Sequence, residues 1–268
     1  MPEGDTITRT ARTLDRALAG RRLVRFQAPR LPAATLRPSA GSIVLSARAR
    51  GKHLLIDFSD GSTLHTHMRM HGSWHVYQPG ERWRLPPAAM RAMVQVEGAV
   101  AVCFRAPVVE VLEGGALRRH PQLTSLGPDL CAPAPDLDAA VEGLGRLLPG
   151  STQIGVALLD QRAAAGIGNV YKSEVLFACG IYPFTPVTAL DEATRRRVVE
   201  TAARLLRANL DARAPRRTVP EGLAVYGRAG RPCRRCGTPI RSRKQGEAAR
   251  ATYWCPACQP AIVPEPAP

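Results

Sequence analysis

A chain of 268 residues can hold one large domain or two to three small ones, with ample length for a buried core. No apolar run approaches the roughly 18–20 residues of a membrane span, and the start lacks a charged-then-apolar signal pattern. A cytoplasmic protein with no membrane partner is therefore expected. The formal net charge of +15, with a pI near 10.5, points to a polyanionic partner, most simply nucleic acid.

The excess is uneven: from Arg195 onward there are 16 basic and 5 acidic residues. The basic residues are 34 Arg and 3 Lys. A GC-rich genome would explain Arg over Lys but not basic over acidic. It also singles out Lys52, Lys172 and Lys244, because a position needing a compact or titratable amine does not readily accept Arg.

The chain begins Met1-Pro2-Glu3-Gly4. An initiator Met before a small residue is normally trimmed, which would leave Pro2 with a free secondary amine. An α-amino group has an ordinary pKa of about 7.7–8.0, so part of it is unprotonated at neutral pH. Such an amine can attack an aldehyde-like carbon and form an iminium, and the Glu3 carboxylate beside it could move protons. A Pro in second place and an acid that favours a helix start are also ordinary features.

Residues 5–19 predict an amphipathic helix, with Ile7, Ala11, Leu14 and Leu18 at helical spacing, Asp5 as its cap and Gly20 as its end. From 22 to about 112 short runs of β-formers follow, at Ser42–Ala47, His53–Phe58, Thr63–His67, Ser73–Tyr77, Ala92–Glu97 and Val100–Phe104. They are punctuated by turns such as Asp60-Gly61 and Pro79-Gly80, and predict an antiparallel sandwich or barrel. Ala49–His53 reads as a turn that presents Lys52, either as a working ammonium or as a solvated charge. His65, His67, His71 and His75 recur along the next hairpin, without a Cys or carboxylate in the spacing to complete a metal site. Arg69-Met70-His71 form a loop tip that could wedge between bases, or Met70 could pack inward.

Residues 105–136 read as a Pro- and Gly-punctuated linker. Helices are predicted at about 137–148, 152–162, 169–179 and 191–210. Gly166-Ile167-Gly168-Asn169 allows close backbone approach before a helix N-terminus, with Asn169 placed for phosphate or as an ordinary cap. Near the end, Cys233-Arg-Arg-Cys236 and Cys255-Pro-Ala-Cys258 are separated by 18 residues, a zinc-ribbon spacing. Four thiolates imply one structural Zn²⁺, and the loop between them is basic, with Arg241, Arg243, Lys244 and Arg250. Cys103, Cys131 and Cys179 read as core residues. The tail with Pro264, Pro266 and Pro268 is expected to be disordered.

Taken in order, Met1-Pro2-Glu3-Gly4, Arg50-Gly51-Lys52, Leu126-Gly127-Pro128-Asp129, Leu158–Gln161, Gly166–Asn169 and Ala251–Cys255 resemble the formamidopyrimidine-DNA glycosylase and endonuclease VIII family of base-excision repair enzymes. The resemblance covers residues 2 to about 259. It implies an α+β protein: a catalytic β-sandwich with an N-terminal helix over 1–132, a helix–two-turn–helix domain over 133–224 and a zinc-ribbon finger over 225–262, with a tail at 263–268. It implies a bifunctional glycosylase and lyase acting as a bacterial, nucleoid-associated monomer on damaged duplex, single-stranded or bubble DNA.

By the same resemblance Pro2 attacks C1′, Glu3 transfers the proton, Lys52 assists β-elimination and Arg250 assists δ-elimination. Asn169 clamps phosphate, while Arg69, Met70 and His71 fill the void left by the flipped nucleotide. Gly4 fits the endonuclease VIII branch and hence oxidised pyrimidines. Thr6 stands where many members carry an acid, and Ser125 where a DNA-contacting Arg is common. The alternatives are a damage-binding paralogue that does not cut, an oxidised-purine preference, or an unrelated zinc-ribbon nucleic-acid protein.

Overall fold

The computed structural model describes residues 2–146, 151–210 and 222–261, so the tail expected to be disordered lies outside the described residues. The chain divides into two compact units, Met1–Ser125 and Leu126–Pro268.

The first unit opens with α1 (Gly4–Leu18), whose Ile7, Ala11, Leu14 and Leu18 form the expected apolar stripe and are buried. At ~1.5–3 kcal/mol for each large side chain, this stripe seats the helix. The cap differs from the expectation. Glu3 occupies the N-cap in extended backbone, while Asp5 lies in the first turn and is buried. Gly20, at φ +76°, turns the chain out of the helix in the left-handed region that suits glycine.

Eight strands follow: β1 (Leu23–Gln27), β2 (Val44–Arg50), β3 (His53–Phe58), β4 (Ser62–His67), β5 (Ser73–Tyr77), β6 (Met90–Val96), β7 (Ala99–Phe104) and β8 (Val108–Glu113). They make two antiparallel sheets, β1-β6-β7-β5 and β2-β3-β4-β8, with one core of residues from both sheets and α1. β7 is buried along its whole length because both its faces are covered. Ala99, Ala101 and Cys103 enter the main core, while Val100, Val102 and Phe104 pack with Tyr77, Met93, Trp83 and Leu85. The Cys103 thiol is pushed up to about 12 by burial, which keeps it an inert core group.

The expected linker over 105–136 is instead partly structured. Val108–Glu113 pairs with β4, and α2 (Gly114–Arg119) and α3 (Pro121–Thr124) follow it. The Pro and Gly residues that suggested a linker mark only the element ends.

The second unit contains α4 (Leu137–Arg146), α5 (Ile154–Ala157), α6 (Asn169–Cys179), α7 (Glu192–Leu210) and the hairpin β9 (Arg241–Gln245) and β10 (Arg250–Trp254). The end of the helix expected over 137–148 falls outside the described residues. The one expected over 152–162 shrinks to α5, because side chains capture the backbone beyond it. Asp160 Oδ1 accepts the Arg162 N–H (2.9 Å), and Gln161 Oε1 accepts that of Gly166 (3.1 Å). Gln161 Nε2 donates to the carbonyls of Leu159 (2.9 Å) and Ile167 (3.0 Å), closing the loop that leads into α6.

Leu126–Leu130 belongs to this unit through that same loop. Gly127 N donates to Gln161 O, Ala165 N to Pro128 O, and Leu130 N to Ala165 O, at 3.0, 2.8 and 3.1 Å. A Cβ on Gly127 would lie 2.3 Å from the Arg162 carbonyl oxygen and 2.8 Å from that of Ala163. Both obstacles are backbone, so Gly127→Ala should destabilise the protein by about 1–3 kcal/mol, read from urea unfolding. An unchanged midpoint would contradict this packing.

Candidate functional site

In the first unit the candidate catalytic groups gather on α1 and the β2–β3 turn. Glu3 is buried at the head of α1, where orphan N–H groups favour a carboxylate; Pro2 precedes it and is half-buried. α1 lies along β2 and is fastened to it by Asp15 Oδ1, which accepts the Ala47 N–H at 2.8 Å. β2 leads directly into the turn at Gly51-Lys52, flanked by the Arg50–His53 pair. Gly51 takes φ +58°, the left-handed conformation a two-residue hairpin turn requires. Lys52 is half-buried at that turn.

The loop tip between β4 and β5 exposes Arg69, Met70 and His71, with Met70 at 51% exposure. The inward-packing methionine is Met68, not Met70. Arg69 is held at φ +45°, an uncommon conformation for a non-glycine residue. Its amide donates to His67 Nδ1 at 3.2 Å, and Gly72 N closes the loop onto Met68 O at 2.8 Å.

In the second unit, Asn169 is the first residue of α6 rather than its cap, which is Gly168. Asn169 Nδ2 donates to Ala251 O at 2.8 Å and so ties the head of α6 to β10. Beside it, Lys172 is fully buried, and its Nζ donates to Thr252 Oγ1 at 2.7 Å. Thr252 Oγ1 donates to Gln245 Oε1 at 2.9 Å, and Gln245 Nε2 donates to Gln153 Oε1 and Pro183 O, both at 2.9 Å. The chain of bonds borders a cavity of about 580 Å³ that Arg250, Lys172 and Gln245 help to line. The sequence marked Lys172 only as scarce. Its place one turn into the helix after Gly166–Asn169 was the available signal.

Glu174 was missed. Its buried carboxylate accepts the N–H groups of Ala224, Val225 and Tyr226 at 2.8–2.9 Å, anchoring the chain as it enters the finger.

Cys233, Cys236, Cys255 and Cys258 converge with all four sulfurs within 4.8 Å of one another. The separations of Cys233–Cys258 (3.9 Å), Cys236–Cys255 (3.5 Å) and Cys236–Cys258 (3.5 Å) match the roughly 3.8 Å that tetrahedral zinc with ~2.3 Å bonds demands. The donor set fits one structural Zn²⁺. Gln259 fixes its rim, accepting the Cys255 N–H at 2.9 Å and donating to Ile181 O at 2.8 Å. Arg241, Lys244 and Arg250 are exposed on the hairpin; Arg243 is also exposed but stacks over Phe184 at 3.8 Å.

Comparison with known proteins agrees with this layout. Residues 1–107 match the family model of the formamidopyrimidine-DNA glycosylase N-terminal domain, 126–218 its H2TH domain, and 230–261 the zinc finger found in FPG and IleRS. The chain is 45% identical to a probable endonuclease 8 2 of Streptomyces coelicolor, over 99% of this chain and 96% of that protein. It is 37% identical to a DNA-(apurinic or apyrimidinic site) lyase of Mycolicibacterium smegmatis, over 97% of this chain and all of that one (100%). In fold it is similar to a Lactococcus lactis Fpg solved with abasic-site DNA, with a TM-score of 0.81 at 22% identity over 97% of this chain and 100% of that one. The chain belongs to the formamidopyrimidine-DNA glycosylase and endonuclease VIII family, whose members are DNA glycosylases and apurinic or apyrimidinic site lyases of base-excision repair.

Proposed function

We propose that the chain excises oxidised bases, pyrimidines before purines, through a Schiff base on Pro2 and then cuts the strand by β,δ-elimination. The observation that carries this reading is the buried Glu3 carboxylate directly after Pro2, at the head of a helix fastened to the strand that presents Lys52. The deprotonated Pro2 nitrogen attacks C1′ of the damaged nucleotide while the base leaves with a proton from Glu3, and ring opening gives the iminium. Loss of a C2′ proton then expels the 3′ phosphate, and a second elimination expels the 5′ phosphate. Hydrolysis of the iminium returns Pro2. Lys52 stabilises the phosphate at the first elimination and Arg250 at the second. Asn169 reaches phosphate with the N–H of Nδ2 not given to Ala251.

C1′ is inaccessible in stacked DNA, so the nucleotide must be turned out of the duplex. Arg69, Met70 and His71, already exposed on a constrained loop, would fill the hole. The pyrimidine preference rests on Gly4. The substrate is a damaged duplex, with single-stranded or bubble DNA as further forms, and the enzyme acts as a monomer.

A lesion panel tests this reading. Oxidised-pyrimidine duplexes should be cut faster than oxidised-purine ones, leaving a one-nucleotide gap with phosphate on both ends. The reverse order, or a product carrying an unsaturated aldehyde at its 3′ end, would contradict the substrate or the second elimination. Affinity should also fall steeply with salt. If about six phosphates are neutralised, log affinity against log salt has a slope near −5, read by fluorescence anisotropy. A flat response would mean that the basic surface is not the contact.

A further inference from the structure

The alternation of side chains across β3, β4 and β8 places His53, His65, His67 and Glu110 on the same face of their sheet. The register sets His65 opposite Glu110 and His53 opposite His67. α2 packs over β4 and β8, and His120, where α2 ends, comes down onto Glu110. The sequence offered no carboxylate near the histidines of the β4–β5 hairpin. The fold supplies one from a strand distant in the chain.

We propose that His65, Glu110 and His120 form a second metal site, for a divalent cation of the zinc type, separate from the four-cysteine finger. His120 Nε2 lies 3.2 Å from one Glu110 oxygen and His65 Nδ1 lies 4.0 Å from the other, with one ligand atom from each residue inside a 4.8 Å cluster. Two imidazoles and a carboxylate around Zn²⁺ at ~2.0–2.2 Å stand about 3.2–3.5 Å apart, so the cluster has to tighten by about 1 Å, a movement shared by the half-exposed Glu110 and the two rings.

A second observation points the same way. His65 is completely buried, and its Nδ1 has no hydrogen-bond partner among the described residues. A buried ring nitrogen left unsatisfied is unfavourable, and a cation on that nitrogen removes the penalty. The other ring atom, Nε2, lies 2.8 Å from His53 Nδ1. If Nε2 donates there, the proton is fixed on the far side of the ring and the Nδ1 lone pair faces Glu110, the outer-shell arrangement that metal-bound histidines use.

The test uses the full chain dialysed against micromolar free Zn²⁺, with bound metal counted by mass spectrometry. Wild type should hold two zinc per chain, and Glu110→Gln and His120→Asn one each, all three melting alike in zinc-free buffer. With Co²⁺, the first equivalent should give thiolate charge-transfer absorption from the finger. The second should add only weak ligand-field bands, lost in both variants. A single equivalent in wild type, or a second that survives both substitutions, would overturn the site. The cobalt titration of the unaltered chain decides the matter should either variant fail to fold.

Discussion

Extending the chain by one residue ahead of Pro2 is expected to abolish the covalent DNA adduct and to lower strand cleavage by at least about a thousandfold. That factor corresponds to about 4 kcal/mol of transition-state stabilisation. The extension turns the Pro2 nitrogen into an amide, whose lone pair is delocalised and cannot attack C1′, while Glu3, Lys52 and the finger keep their places. Affinity for an abasic-site duplex should change far less than the rate, since the phosphate contacts are untouched. Gel analysis of borohydride-reduced reactions and single-turnover cleavage rates read the two effects separately. Cleavage within tenfold of wild type by a protein with a verified extension would exclude Pro2 as the nucleophile.

Zinc removal should have the second largest effect. Structural zinc sites contribute roughly 10–16 kcal/mol of binding free energy, which in so short a segment is folding free energy. The small cluster of Phe177, Val225, Cys233, Ile240 and Cys255 cannot replace it. Chelation, or Cys258→Ser, should therefore release β9 and β10, and with them the exposed Lys244 and Arg250. Duplex affinity is expected to fall about a hundredfold or more, a change of about 2.7 kcal/mol. The first unit has its own core and should keep its circular dichroism and its melting. Unchanged affinity would show that the finger is not part of the DNA clamp.

What could be read from the sequence followed the range of each signal. Periodicity is local, and it located α1, β3, β5, α6 and α7 to within a residue or so of their observed ends. The cysteine spacing is also local, and the four sulfurs converge as it required. Side-chain capture of backbone groups is harder to see, so Asp160 and Gln161 ended a helix that composition alone would continue. Pairing between distant segments was hidden altogether. Val108–Glu113 is a run of β-formers, but its pairing as the edge strand beside β4 is not a local property, and so the meeting of Glu110 with His65 and His120 could not be anticipated. Lys172 and Glu174 were obscured for the same reason, since their partners lie about 50 to 80 residues away. Motifs singled out positions without giving their structural jobs. Asn169, expected as a cap or phosphate ligand, follows the cap Gly168 and is a strut between α6 and β10.

The account stands on the Pro2 amine, and the most direct measurement is where the reduced adduct sits. Enzyme reacted with an oxidised-pyrimidine duplex in borohydride should yield one protein–DNA species, and digestion with peptide mass mapping should place the deoxyribose remnant on the nitrogen of Pro2, with Met1 gone. A remnant on Lys52 or Lys172, or full-speed excision by chains whose first nitrogen is blocked, would contradict it.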